Sequence, residues 1–226
     1  MTEAEYLAYD LAHEGKHEFV NGEVLAMSGA SDAHNVIQAN LVAVLWNCLR
    51  GGPRRVRGSD MRVRLDETGL YCYPDLTVVC GEAQFAQTKP ETLLNPCVVV
   101  EVLSESAEDY DRGAKLAHYR HRASVDTVLL VDSRHRLVER QSRNADGTWT
   151  LSEHTAGAVR VLDHELPLDD IYGGVAGSLP SWAAKRRAAV ELMPAKTARA
   201  RARRATRPPP AADPPPSARR RSAWRP

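Results

Sequence analysis

Residues 73–120 read YPDLTVVCGEAQFAQTKPETLLNPCVVVEVLSESAEDYDRGAKLAHYR, and two apolar runs inside this stretch decide the fold. TVVC and VVVEVL are short, rich in β-branched residues and bounded by Gly, Pro and Ser, which predicts strands. Each run has a carboxylate. Asp75 stands just ahead of the first, and Glu101 lies inside the second. Apart from Glu101, the second run has the continuous apolar pattern of a central strand covered on both faces. A charge buried there needs compensation. Two sources are open: a divalent cation shared with Asp75, or a buried ion pair with an Arg or Lys. Downstream, SAEDYDRGAKLAHYRHR predicts a helix with Leu116, Tyr119 and Ala123 facing inward. DTVLLVD predicts another buried strand, which completes a strand–helix–strand unit over residues 97–132.

Working outward, TEAEYLAYDLA predicts an opening helix capped by Thr2. HEFVNGEVLAM predicts a hairpin turning at Asn21-Gly22. SDAHNVIQANLVAVLWNCLRGG predicts the best helix of the chain, capped by Ser31 or Asp32 and stopped at Gly51-Gly52. Its apolar positions are Val36, Ile37, Leu41, Val44 and Leu45. RRVRGSDMRVRL predicts a kinked strand whose five arginines either face DNA or are simply solvated, and LYCYPDLTVVC predicts the strand after it. RLVERQSR, WTLSEHT and AVRVL predict a meander, and LPLDDIYGG a short terminal helix. The fold class is therefore mixed α/β, a mixed sheet flanked by helices.

The net charge of +1 averages two unlike regions. Residues 183–226 hold 13 Lys and Arg against Glu191 and Asp213, a net of +11, which leaves −10 for residues 1–182. This split, with the Ala/Arg/Pro-rich composition beyond Trp182, predicts a folded domain over 1–180 and a largely disordered basic tail over 181–226. Cys48, Cys72, Cys80 and Cys97 have no CxxC spacing and no secretory leader precedes them, so free thiols in a cytoplasmic setting are expected. No apolar run of 18 residues exists, and no membrane partner is expected. The GxGxxG, GxxxxGK[ST] and GxSxG patterns are absent, so the carboxylates are the main chemical clue.

Pro74-Asp75 ahead of an apolar run, then a Glu within a second run, resembles the PD-(D/E)xK nuclease superfamily. The segments HEFVNGEVLAMSGASDAHN, YPDLTVV, NPCVVVEVLSESAEDYDRGAKLAHYR and DTVLLVD, in that order, are closest to its Uma2-like (DUF820) branch. They span roughly residues 1–175. The resemblance implies a restriction-endonuclease-like α/β fold and hydrolysis of DNA phosphodiester bonds with Mg²⁺ or Mn²⁺. It also implies Asp75 and Glu101 as metal ligands, with the Val102 carbonyl as a third.

The superfamily lysine would stand at position 103, where this chain has Leu103. In the Uma2-like branch the resemblance points to Lys115 of DRGAK instead. Its alternative is a solvated helix lysine bonded to Asp111 one turn away. Arg112 is a second phosphate candidate or part of a solvated face. Glu18 is a candidate accessory acid and His34 a cleft base or a local hydrogen-bonding residue. Glu23 is either an accessory acid or an exposed hairpin charge. Glu105 stands where the family usually has Pro, adding negative charge beside the phosphate path. Three alternatives stay open: a nuclease fold without turnover that binds DNA or protein, a substrate other than duplex DNA, and a homodimer through an edge strand of the 135–161 meander. The basic tail either tethers the domain to DNA or has no such role.

Overall fold

The structure is a computed structural model describing residues 1–27, 29–65, 69–105, 108–176 and 179. The chain divides into two units, Met1–Lys185 and Arg186–Pro226. The expected domain boundary near residue 180 and the expected disordered tail lie outside the described residues.

Local signals set most of the first half. Helix α1 (Glu3–Ala12) opens with a capping box in which Glu5 N donates to Thr2 and Thr2 N donates to Glu5. Strands β1 (His17–Val20) and β2 (Glu23–Ala26) pair in a hairpin whose two turn residues, Asn21 and Gly22, have φ of 52° and 87°. Helix α2 (Asp32–Leu49) is capped by Ser31, and its buried stripe is Ile37, Leu41, Leu45 and Leu49. Val36 and Val44, expected on that stripe, are only partly buried.

Two stretches that look continuous in sequence change sheets. RRVRGSDMRVRL forms β3 (Arg54–Gly58) and β4 (Arg62–Leu65) on either side of a bend at Ser59 and Asp60. LYCYPDLTVVC forms β5 (Leu70–Cys72) and β6 (Leu76–Cys80), broken at Tyr73-Pro74-Asp75. There follow β7 (Phe85–Ala86), β8 (Thr92–Leu93) and β9 (Val98–Leu103). The next helical stretch is α3 (Glu108–Tyr110), a π-helical turn over Asp111–Lys115, and α4 (Leu116–His121). The chain then makes β10 (Thr127–Asp132), β11 (Val138–Arg143), β12 (Trp149–His154), β13 (Ala158–Val161), β14 (His164–Pro167) and α5 (Leu168–Ile171).

One six-stranded sheet has the order β2-β1-β5-β4-β8-β7, the other β12-β11-β10-β9-β6-β3. In the second sheet β9 and β10 are parallel neighbours, as the strand–helix–strand unit predicts, and β6 runs antiparallel to β9. AVRVL does not continue the meander; β13 turns back on β14 in a separate two-stranded sheet. Side chains alternate along β9. Val98, Val100 and Val102 join the core beneath α2 and α5, whereas Val99 and Leu103 face the other sheet and α4. Glu101 lies on the second face, towards α4.

Two readings from composition are overturned. Cys80 and Cys97 form a disulfide joining the end of β6 to the residue before β9, because antiparallel pairing sets their Cα atoms 5.9 Å apart. Only Cys48 and Cys72 are free thiols. Arg62 is neither solvated nor DNA-facing. It is fully buried, bonded to Asp10 at 2.7 Å, to Thr92 at 2.8 Å and to the Pro90 carbonyl at 2.9 Å. No helix among the described residues is long and apolar enough to cross a membrane.

Candidate active site

The pairing of β6 with β9 matches Leu76 to Val100. One step further, the same register sets Asp75 across from Glu101. The sheet opens there, because Asp75 has left the strand, and the Asp75 carboxylate accepts the Val102 N–H at 2.7 Å in place of a backbone partner. His34 and Gln38 reach Asp75 from one face of α2, a helical turn apart. His34 Nε2 is 2.9 Å from Oδ1. Gln38 donates to Oδ1 at 3.2 Å and to the Asp75 carbonyl at 3.1 Å. His34 therefore faces the cleft in addition to bonding Ser31 through its backbone.

Glu101 meets the helix behind it. Lys115 Nζ lies 2.9 Å from Glu101, 2.8 Å from Glu18 and 3.5 Å from Asp111. The contact with Asp111 that a solvated lysine would make is present, but Lys115 is buried and held by three carboxylates. The π-helical turn ends at Lys115, and the next N–H, of Leu116, donates to the Asp111 carbonyl five residues back. Tyr119, one turn beyond Lys115, donates its hydroxyl to the same Glu101 oxygen. Both contacts use Oε1, and among the described residues Oε2 has no such partner. Buried ion pairing thus accounts for the charge within VVVEVL.

The electrostatics are strained towards a cation. Burial pushes the Glu101 carboxyl up to about 8 against the pull of Lys115, and Asp111, Asp75 and Glu18 add to the rise. Burial likewise raises Asp111. For Lys115 burial works against the charge, but Glu101, Glu18 and Asp111 outweigh it and hold the ammonium well above its ordinary range. His34 is raised in the same way: burial opposes its charge, and the hydrogen bond and charge of Asp75 prevail.

These groups line a cleft of about 620 Å³ between α2, the β1–β2 hairpin, the end of β9 and the π-helical turn. Glu18, Asp75, Glu101 and Asp111 bring four carboxylates to it against Lys115, His34 and Lys16, and Lys16 is already paired with Asp60. The donor set suits a hard divalent ion. Two carboxylates converge, and the Val102 carbonyl points to the same side as its N–H, which bonds Asp75. Mg²⁺ takes few protein oxygens and keeps several waters. A zinc-type site needs three or more His, Cys, Asp or Glu ligands, and the described residues hold no such group. The segment HEGKH, residues 13–17, spells the H-E-x-x-H zinc pattern but does not form that site. His13 caps the end of α1 and His17 opens β1, so the two histidines do not share a helix face.

Of the residues expected at the site, Asp75, Glu101, Val102, Lys115, Glu18 and His34 come together in this cleft. Arg112 does not line it; it pairs with Glu108 at 3.0 Å and with Glu139. Glu23 is an exposed hairpin charge and Glu105 is exposed. Leu103 is fully buried in the core. Sequence reasoning missed Gln38, and placed Tyr119 only in the core. Both were within reach, since Gln38 follows His34 by one turn and Tyr119 follows Lys115 by one turn.

Comparison with known proteins shows the family and the fold. The profile of the Uma2 family, described as "Putative restriction endonuclease", matches residues 3–171. The uncharacterized protein slr1290 of Synechocystis sp. is 33% identical over 179 residues, covering 78% of this chain and 93% of that one. The uncharacterized protein sll1609 of the same organism is 33% identical over 153 residues, covering 68% and 86%. In fold, the chain is similar to the crystal structure of "a putative nuclease belonging to DUF820" from Anabaena variabilis, with a TM-score of 0.58, 15% identity, and 74% and 96% of the two chains covered. With these matches and the mixed α/β fold, the chain belongs to the Uma2 (DUF820) family.

Proposed function

We propose that this protein is a metal-dependent endonuclease that hydrolyses DNA phosphodiester bonds in the cleft around Asp75 and Glu101. The observation that carries the proposal is the convergence of those two carboxylates from adjacent antiparallel strands, with Lys115 2.9 Å from Glu101. Asp75, Glu101 and the Val102 carbonyl would hold Mg²⁺ or Mn²⁺. A divalent ion there supplies an activated water and neutralises charge developing on the phosphate.

The chain's own residues do the rest. His34 and Gln38 fix the rotamer of Asp75, and Tyr119 fixes that of Glu101. Lys115, kept charged by its carboxylate neighbours, presents a positive group to a phosphate oxygen as water adds to phosphorus and the ester P–O bond breaks. Leu103 shares the α4-facing side of β9 with Glu101, but it is an apolar residue packed in the core and does not line the cleft, which supports Lys115 as the basic residue. The acidic body is a poor match for a polyanion, so the +11 tail would supply non-specific affinity for DNA.

The test is nicking of supercoiled plasmid by the full chain with Mg²⁺ or Mn²⁺, against Asp75→Asn and Glu101→Gln. Metal-dependent nicking, lost in both variants while they stay folded, is the expected result. A folded wild type that cuts no DNA with either metal would instead leave a nuclease fold used for binding.

A further inference from the structure

A second groove, of about 660 Å³, lies between α2 and the bend from β3 to β4. Asn35, Gln38 and Ser59 line both it and the active cleft, so the two are continuous. The groove leads to Arg57 near the end of β3. There the last strands of the two sheets, β3 and β7, come together, and the Arg57 guanidinium lies 5.7 Å from the centre of the Phe85 ring.

The arginines of β3 and β4 divide by charge state. Arg54, Arg62 and Arg64 are paired with carboxylates. Arg55 and Arg57, two positions apart and so on one face of β3, have no carboxylate partner among the described residues. Phe85, 37% exposed, is a large apolar side chain left partly in solvent beside Arg57. An unpaired guanidinium over an exposed ring offers a charge for a phosphate and a flat surface for a base. A duplex keeps its base faces stacked inside and cannot use that surface; a single strand can.

We propose that the groove and the Arg57–Phe85 pair hold a single-stranded nucleic-acid segment adjoining the phosphate to be cut, with Arg55 meeting a phosphate beyond it. This rests on the nuclease reading of the cleft, and binding measured without metal separates the two. The assay is fluorescence anisotropy of the full chain in EDTA with labelled single-stranded DNA, single-stranded RNA and duplex DNA, each about 12 nucleotides long.

Phe85→Ala is expected to weaken single-strand binding roughly fivefold to a hundredfold, the loss of stacking on one base, while duplex binding holds. Phe85→Trp restores it. Arg57→Ala weakens single-strand binding and lowers its salt slope by about 0.7, one phosphate contact. The DNA and RNA arms show which strand the track prefers, and an unchanged melting temperature shows that the variants fold. Equal losses on duplex and single strand, or no loss in either variant, overturn the proposal. Selective loss of single-strand binding in Phe85→Ala, with no cleavage by wild type, keeps the track and removes the nuclease reading. Cleavage by wild type with binding untouched in both variants does the reverse.

Discussion

Replacing Lys115 by Met keeps a buried aliphatic stem and removes one positive charge from among Glu18, Glu101 and Asp111. Lys115 is only 3% exposed, so water cannot take over the role of the ammonium. Removing one partner of a buried ion pair costs about 3–5 kcal/mol. Here the loss should fall near the lower end, about 3 kcal/mol at neutral pH, because Glu101 is already poised to take up a proton. The pH dependence has a definite sign. Unfolded, Glu101 titrates near its ordinary 4.5; folded, it is pushed up to about 8. Between those values the folded chain binds more protons than the unfolded, so stability falls as pH rises, and in the wild type that fall ends near pH 8. Without Lys115 the carboxyl rises further and the fall continues. The gap between the two proteins should therefore widen above pH 8, by up to about 1.4 kcal/mol per pH unit. Urea denaturation followed by circular dichroism in EDTA, from pH 6.5 to 9.5, measures it. A variant as stable as wild type at pH 7, or a gap that stays constant to pH 9.5, refutes the argument.

Other outcomes follow from the same packing. Arg62→Met takes the guanidinium from Asp10 and leaves it only Tyr73 and His17, and should cost about 3–5 kcal/mol in denaturant; adding Asp10→Leu should recover much of it, because the buried carboxylate is then gone. Leu41→Ala opens a cavity in the core beneath α2 and should cost about 2–5 kcal/mol by the same assay. Tyr119→Phe removes one of the two contacts on Glu101 Oε1, leaving Lys115, and should lower cleavage about 10- to 100-fold with little change in melting temperature.

What the sequence discloses here depends on how local the cause is. The Asn21-Gly22 turn, the Thr2 and Ser31 caps and the apolar strands β9 and β10 were all legible, because each rests on neighbours a few residues away. Asp75 facing Glu101 was legible once the two runs were taken as paired strands. The change of sheet at Ser59-Asp60 was not, since alternation looks the same whichever sheet a strand joins. Arg62 looked like one more surface arginine until Asp10, 52 residues earlier, supplied its partner. The disulfide likewise depends on the β6–β9 register rather than on cysteine spacing. At the site, the resemblance pointed to Lys115, but its own spacing left a solvated helix lysine paired with Asp111 equally open, because Glu18 and Glu101 reach it from other elements.

The account depends most on Asp75 and Glu101 together holding a divalent cation. Electron paramagnetic resonance of free and bound Mn²⁺, with the full chain at pH 8, measures this without requiring turnover. Wild type is predicted to bind about one tightly held ion per chain, with Asp75→Asn and Glu101→Gln each weakening it at least about tenfold and Glu23→Gln leaving it unchanged. Equal Mn²⁺ binding by all four proteins, or none by the wild type, would contradict it.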